Sequence, residues 1–308
     1  MTQEIVDIAD LDCIFLTYDE PKKEEFWIRI QNMVPWAKRV DGVHGSDAAH
    51  KAAAAASDTD RFVLIDGDNL PDPDFFNLQL LLDDRNRDNV FRWKARNEVN
   101  GLMYGNGGLS CWTKDFVNNM QTHEHSDGSD DTCVEFCFDP KYQAMHDCYS
   151  TTYPNGSAYQ AWRAGFREGV KMCLDRGAKP DLKEFERRVH QRNYDHLSIW
   201  QTVGRDVDNG WWAIYGARVG TYLTMLTDWD YRQVQDFTNL KQLWEDYKDK
   251  TDEDNVILGE TLQRKLALPI TELNAEQSRF FKHHYKQSQK NLGTTMTEMD
   301  IIRRQEGW

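Results

Sequence analysis

Apolar and polar residues follow one another along the first third of the chain in a pattern that predicts strands and helices in turn. Short apolar runs at 13–17, 62–65 and 89–94 have the length of buried strands. Between them, residues 24–34 carry apolar side chains at helical spacing, and residues 46–56 are rich in alanine. Strands that alternate with helices are typical of a parallel sheet with helical crossovers, so we predict an α/β fold.

The pattern changes near the middle of the chain. Segments 157–176 and 181–203, and a charged tail from about 228, have helical spacing and are rich in aromatic residues and arginine. We therefore predict an α/β domain over residues 1–150 and a mostly helical C-terminal region over residues 151–308 that packs against it.

Within the predicted sheet, Asn100-Gly101 lies between two strand-like segments and indicates a hairpin.

Composition narrows the choice of protein class. Hydrophobic residues make up 40% of the 308 residues, which is enough for a large core. The net charge of −14 opposes non-specific binding to nucleic acid, although it permits a local basic groove. Six scattered cysteines without a CxxC pair favour reduced thiols in a cytoplasm. No signal peptide, membrane span or obligate protein partner is expected from the sequence.

Two carboxylates stand at the end of the second apolar run. Asp66 and Asp68 are separated by one residue, and side chains alternate along a strand, so both can point to the same side. In a parallel sheet they would lie at the carboxyl edge, where open α/β sheets bind ligands. Two carboxylates there repel each other unless a divalent cation, itself bound to phosphate, lies between them. The alternative is an ordinary turn, since Asp-Gly-Asp-Asn suits one.

The order of these elements resembles that of GT-A glycosyltransferases. An acidic loop after the first strand, Gly45-Ser-Asp-Ala-Ala-His-Lys51 at the start of a helix, and the strand that ends in Asp66-Gly67-Asp68 carry the resemblance, which covers about the first 140 residues. It implies an α/β GT-A fold with a mainly parallel central sheet flanked by helices and a helical C-terminal extension. It also implies metal-dependent transfer of a sugar from a nucleotide sugar.

The whole chain also resembles a group of tailed-phage glycosyltransferases. The segments that carry this resemblance are 35–40, 45–50, 166–171 and 209–218. Some of these enzymes add arabinose or another sugar to hydroxymethylated cytosine. The implied donor is a UDP-sugar such as UDP-arabinose, the implied acceptor is 5-hydroxymethylcytosine in double-stranded phage DNA, and the implied location is the host cytoplasm.

The GT-A resemblance assigns roles to matching positions. Asp68 would be the main ligand of Mn²⁺ or Mg²⁺, and Asp66 would contact the ribose or a metal-bound water and share in metal binding. A late histidine, His196, would be a third ligand, with His190, Asp206, Asp208 and Asn209 as the alternatives. The remaining nucleotide-binding positions would be Lys51 and the loop after the first strand, which comprises Thr17, Tyr18, Asp19 and Glu20. The alternative for Lys51 is a solvated position on a helix face, and the alternative for residues 17–20 is a loop without function.

Two further segments are candidates for the reaction centre. Gly107 and Gly108 would form a floor facing the sugar, because glycine lets a ligand approach the backbone closely; a tight turn is the alternative. Asp130 and Asp131 follow the predicted hairpin, where an inverting enzyme of this kind would carry the base that deprotonates the acceptor hydroxyl. A solvated acidic loop is the alternative for these two residues.

Aromatic residues and arginines of the C-terminal half admit two interpretations. Aromatic rings stack on bases and Arg binds phosphate, as a DNA-acceptor groove requires. A helical core with an ion-paired surface would show the same residue types. The set comprises Trp162, Arg163, Arg167, Arg187, Arg188, Arg192, Trp200, Arg205, Trp211, Trp212 and Arg218.

Other functions are compatible with these features. A nucleotidyltransferase also uses paired carboxylates and a metal on an α/β sheet. A non-enzymatic protein that binds a nucleotide or a sugar is the third hypothesis.

Overall fold

The structure, a computed structural model, describes residues 3–120 and 141–287, and a seven-stranded sheet lies at its centre. In chain order the strands are β1 (Glu4–Asp7), β2 (Asp12–Thr17), β3 (Lys38–Asp41), β4 (Arg61–Asp66), β5 (Asn69–Pro71), β6 (Gln79–Leu82), β7 (Val90–Asn97), β8 (Met103–Thr113) and β9 (Tyr142–Thr152). The central sheet has the order β3-β2-β4-β8-β7-β9-β5, and β1 pairs with β6 in a separate ribbon.

Helices cover the sheet and make up most of the chain after residue 150. They are α1 (Lys23–Met33), α2 (Ser46–Ala56), α3 (Lys114–Asn119), α4 (Ala158–Lys171), α5 (Phe185–Arg188), α6 (Gln191–Trp200), α7 (Gly210–Leu226), α8 (Phe237–Tyr247), α9 (Asp252–Leu266) and α10 (Ala275–His284). No helix in the described ranges is long and apolar enough to cross a bilayer.

The sheet is mixed, so the expectation of a mainly parallel sheet is not met. Strands β3, β2 and β4 are parallel, whereas β8 runs antiparallel to both of its neighbours, β4 and β7. The physical reason is the predicted hairpin: Gly101, at φ +75°, reverses the chain after β7 and returns β8 beside it. The α/β class itself is confirmed, with helices on both faces of the sheet.

Strand β7 is flanked by irregular pairing on both sides. On β8, Arg92 pairs with Ser110 but Lys94 pairs with Gly105. On β9, the same two residues pair with Ala144 and Cys148. Opposite the single residue Trp93, β8 and β9 therefore each have several residues. Such bulges bend a sheet and increase its twist.

The sheet curls far enough to bring its edge strand β5 back towards β4 and β8 in the middle of the sheet. β5 follows β4 after a two-residue turn, yet it pairs with β9 at the far edge. A Cβ added at Gly108 of β8 would lie 2.8 Å from the amide nitrogen of Asn69, so the two strands touch through this side chain. The glycine makes this close approach possible.

Each face of the sheet packs against a helix that the sequence predicts. On one face, Phe15, Ile65 and Trp93 belong to the same core cluster as Phe26 and Ile30 of α1. On the other, Ile14, Phe62 and Leu64 pack with Ala53 and Ala54 of α2. Burial of these apolar side chains is the main stabilising contribution, and it fixes the position of the ends of β2 and β4.

Helices α4 and α7 approach each other more closely than side chains would allow. A Cβ added at Gly165 of α4 would lie 1.9 Å from the carbonyl oxygen of Ala213. A Cβ added at Gly216 of α7 would lie 2.1 Å from the carbonyl oxygen of Trp162. The two backbones are therefore in direct contact, and this packing fixes the position of α4 relative to α7.

Candidate functional site

Three carboxyl groups gather where the parallel strands β2 and β4 end. Asp66 closes β4 beside Leu16 of β2, and Asp68 lies in the turn to β5. Glu20, in the loop after β2, reaches the same place, because a Cβ added at Gly67 would be 2.6 Å from its Oε2. The acidic cluster, Glu20, Asp66 and Asp68, thus occupies the carboxyl edge of the parallel part of the sheet, as expected for a ligand site.

The cluster is short of positive charge. Burial and then the charges of Asp68 and Glu20 raise the pKa of Asp66 to about 8. Burial and Glu20 raise the pKa of Asp68 to about 6, while Arg163 and a hydrogen bond from Thr152 act in the opposite direction. Both aspartates nevertheless remain partly exposed. Their carboxylate forms are therefore accessible to a cation from solvent, which would relieve the repulsion.

The cluster fits a metal that is bound together with phosphate. Within residues 3–120 and 141–287, no group of three His, Cys, Asp or Glu side chains is placed to hold a metal ion by itself. Mg²⁺ in nucleotide sites is commonly held by one or two carboxylates, with phosphate oxygens and water as the other ligands. Asp66 and Asp68 can supply those two carboxylates, so the pair suits a metal–diphosphate complex better than a free ion.

Arg163 of α4 is the cationic side chain whose charge acts on Asp68 of the acidic cluster. Its guanidinium lies 5.3 Å from the ring centroid of Tyr159 and 5.1 Å from that of Phe237. Cation–π contacts on two rings restrict the side chain. Its positive charge favours ionised Asp68. The sequence places Arg163 only in a broad set of C-terminal arginines, because nothing local shows which of them turns towards the sheet.

The loop after β2 is held in place before any ligand binds. Thr17 is buried, and its hydroxyl donates to Asp41 at 2.7 Å and accepts from Arg39 at 3.1 Å. Glu20 accepts from the backbone N–H of Tyr18 at 2.7 Å. Thr17 therefore stabilises the base of the loop, and its hydroxyl is already hydrogen-bonded to Asp41 and Arg39.

Two side chains of this loop face outward. The Tyr18 ring is 46% exposed. It meets His44 edge-on, with ring centroids 6.1 Å apart. An exposed aromatic face is suited to stacking on a nucleobase. Asp19 is exposed, and its charge acts on Tyr159 of α4, so it lies at the same opening.

Several predicted site residues lie elsewhere or outside the described ranges. Lys51 pairs with Asp47 at 2.7 Å on α2. Gly107 and Gly108 belong to strand β8 and not to a tight turn, and Gly108 lies against Asn69. Asp130 and Asp131 lie outside the described residues, so their role as a base stays a prediction.

His196 is part of the helical core and is not brought to the acidic cluster. It is 2% exposed, and its ring centroid lies 5.2 Å from that of Tyr104. Burial, followed by the charge of Arg192, lowers its pKa to about 4. Its Nε2 lies 3.0 Å from the side-chain nitrogen of Gln287. The expectation of a third metal ligand here fails because helical packing turns the ring inward. His190, the alternative, caps α6 with its ring nitrogen.

Most of the C-terminal arginines and tryptophans follow the second interpretation, a helical core with an ion-paired surface. Trp162, Trp200 and Arg218 are among the largest fully buried side chains. Three of the surface arginines have acidic partners, in the pairs Arg187–Glu184, Arg188–Asp175 and Arg205–Asp252. The packing and ion pairing of the helical region account for these six residues.

The raised pKa values predict how metal binding depends on pH. Protons compete with the metal for Asp66 and Asp68, so affinity for Mn²⁺ should rise between about pH 6 and pH 8, the pKa values of the two groups. The folded-state pKa of Asp66 lies above its ordinary 3.8, so without metal the stability it contributes is lost as pH rises from about 4 to about 8. Melting temperatures with and without Mn²⁺ across this range would measure both effects. A metal-induced shift that is the same at pH 6 and pH 8 would contradict the assignment.

Comparison with known proteins adds no assignment to this geometry. The chain matches no protein-family profile, no curated protein and no solved structure.

Proposed function

We propose that this chain is a metal-dependent glycosyltransferase of the GT-A type that uses a nucleotide-sugar donor, with a UDP-sugar as the first candidate. The observation that carries the proposal is the position and charge of Asp66 and Asp68. They lie at the carboxyl edge of the parallel strands, and burial, followed by the charges of acidic neighbours, makes each harder to ionise. A metal–diphosphate complex would supply the missing positive charge there.

Each group at the opening has a role in this proposal. Asp66 and Asp68 hold Mn²⁺ or Mg²⁺, and the Tyr18 ring stacks on the base. Glu20 and Asp19 face the ribose. Arg163 contacts the diphosphate from the side of α4.

Charge development explains why these groups suit sugar transfer. The bond between the anomeric carbon and the diphosphate oxygen breaks, and the leaving nucleoside diphosphate gains negative charge. The metal, when bound, offsets that charge as a Lewis acid. Arg163 adds a fixed positive group at the same place, and its position costs no reorganisation during the reaction because two rings hold it.

Product analysis tests the proposal against the nucleotidyltransferase alternative. A panel of nucleotide sugars is incubated with the protein, Mn²⁺ and DNA that contains 5-hydroxymethylcytosine, the proposed acceptor. Release of a nucleoside diphosphate supports glycosyl transfer, and sugar on the DNA identifies the acceptor. Release of pyrophosphate from a sugar phosphate and a nucleoside triphosphate would favour the nucleotidyltransferase. Donor binding without turnover would favour a binding protein.

Replacing Arg163 by glutamine is expected to weaken donor binding by about 10- to 150-fold, because a charge-assisted hydrogen bond to phosphate contributes about 1.5–3 kcal/mol. The same change should raise the pKa of Asp68 further, since Arg163 opposes its present shift. Titration calorimetry with a UDP-sugar and Mn²⁺ measures the first effect.

The matched control for this prediction is Arg187→Gln, which removes a surface arginine of α5 that is paired with Glu184. We expect it to bind donor as the wild type does. Equal affinity of Arg163→Gln and Arg187→Gln would remove Arg163 from the site.

A further inference from the structure

Buried polar side chains without hydrogen-bond partners begin beside the acidic cluster and continue along the sheet to β7. Asn69, the residue after Asp68, is fully buried, and neither its amide nitrogen nor its amide oxygen has a hydrogen-bond partner in the described structure. Lys94 of β7 is 2% exposed, and its Nζ is equally without a partner there. The Nε of Arg92 and the hydroxyl of Ser150 are also buried and without a hydrogen-bond partner there.

Arg92 and Lys94 lie on one face of the sheet. Gly105 of β8 is the cross-strand partner of Lys94, so a side chain at position 105 would point to the same face as Lys94. A Cβ added at Gly105 would lie 1.9 Å from a terminal nitrogen of Arg92, which places the guanidinium directly over it. The glycine provides the space that this cation occupies.

Asn69 and Ser150 are linked to the acidic cluster through β9. Thr152 is the cross-strand partner of Asn69, and its side chain makes a hydrogen bond to Asp68. Ser150 precedes Thr152 by two residues and therefore projects to the same side of β9. The unpartnered groups thus begin next to Asp68 and continue along the sheet towards β7.

These groups are unfavourable in the protein alone. A buried donor without a partner costs about 1–3 kcal/mol, and a charged one costs more. Burial lowers the pKa of Lys94, and the nearby charges of Asp147 and Cys148 only partly oppose that effect. The negative charge near Lys94 therefore does not offset its burial, whereas the acidic cluster lacks positive charge. A ligand that carries a bound cation at one end and an oxyanion at the other would complete both.

We propose that Lys94 and Arg92, with the amide of Asn69, form an oxyanion-binding subsite next to the acidic cluster. For the identity of the ligand, the inference rests on the proposed function. The oxyanion then has two sources: the phosphate of the donor, or a carboxylate on the transferred sugar. A carboxylate source would make the donor an acidic nucleotide sugar.

Lys94→Met tests the subsite, because methionine keeps most of the length of the side chain and removes the charge. The probes are UDP-glucose and UDP-glucuronate, which differ only in the carboxylate at C6, each titrated with Mn²⁺ present. We expect Lys94→Met to weaken binding of at least one probe about tenfold, the loss of one charge-assisted contact. A loss confined to UDP-glucuronate identifies the sugar carboxylate, and an equal loss for both identifies the phosphate. Lys265→Met, on the exposed face of α9, is the control and should bind both probes as the wild type does.

A second measurement separates this inference from the proposed function. If the wild type binds neither UDP-sugar, the UDP-sugar donor is wrong, and inorganic phosphate replaces it as probe. Phosphate should then raise the melting temperature of the wild type more than that of Lys94→Met. The variant itself should melt no lower than the wild type, because it loses an unpaired buried charge. Equal responses of both proteins to the UDP-sugars and to phosphate would overturn the subsite.

Discussion

Asp68→Asn is expected to lower metal-dependent turnover of the donor by about 10²- to 10³-fold, since a metal supplies several kcal/mol of charge stabilisation and each 1.4 kcal/mol is tenfold in rate. Asparagine keeps the shape and most hydrogen bonds of the side chain but gives up the anionic oxygen that holds the metal. Rates of nucleoside diphosphate release at saturating Mn²⁺ measure the effect.

Stability serves as the internal control for Asp68→Asn. Burial and Glu20 already disfavour the charge of Asp68 in the folded protein, so its removal should leave the melting temperature unchanged or raise it. Asp74→Asn, at an exposed position after β5, controls for loss of any acidic residue. Undiminished turnover in Asp68→Asn would mean that the Asp-Gly-Asp segment is only a turn.

Gly216→Ala is expected to destabilise the protein by about 3 kcal/mol or more, at the upper end of overpacking effects. The new methyl group would lie 2.1 Å from the carbonyl oxygen of Trp162, which is backbone and cannot move aside alone. Helices α4 and α7 would have to separate, and α4 carries Tyr159 and Arg163 to the site. Denaturant unfolding gives the free energy, and donor affinity of the surviving folded protein reports on the site.

Gly42→Ala is the matched control for the helix pair. An added Cβ at Gly42 meets no atom within 4 Å, although the residue has φ +75°. Only the backbone strain of an alanine in the left-handed region should appear, about 1–2 kcal/mol. If Gly216→Ala costs no more than Gly42→Ala, the close packing of α4 on α7 is not as the structure describes it.

Local signals were sufficient to predict the elements that position the acidic cluster. The apolar run 62–65 became the inner part of β4, and Asn100-Gly101 became the turn between β7 and β8. These features depend on residues that are close in the chain. The convergence of Glu20 with Asp66 and Asp68 followed from a parallel pairing of β2 and β4, which the alternation of strands and helices also indicates.

Features that depend on distant residues could not be predicted in this way. The hairpin accounts for the pairing of β8 with β7, but the insertion of β8 beside β4 depends on pairing with a strand that is distant in the chain. The charge of Arg163 acts on Asp68 from α4, a helix whose position depends on glycines that let it pack directly on α7. Nothing local distinguishes Lys94, the last residue of the run 89–94, because its burial arises from the pairing of β7 with β8 and β9. Asn69 directly follows the acidic pair, and that position was a signal that sequence reasoning could have used.

His196 shows why residue type alone is a weak guide. A late histidine was a reasonable metal ligand by chemistry, yet its helix turns the ring against Tyr104 in the core. The amphipathic pattern of a helix determines which face is buried, and that face decides the role of a histidine more than its chemistry does.

Binding of UDP-sugars to the wild-type protein with and without Mn²⁺ tests the central claim most directly. Titration calorimetry at pH 8, where the pKa of about 8 for Asp66 no longer strongly opposes metal binding, gives the affinity in both conditions. The account predicts binding that requires Mn²⁺ and that Asp68→Asn weakens strongly. Equal binding with and without Mn²⁺, or undiminished binding in Asp68→Asn, would contradict it.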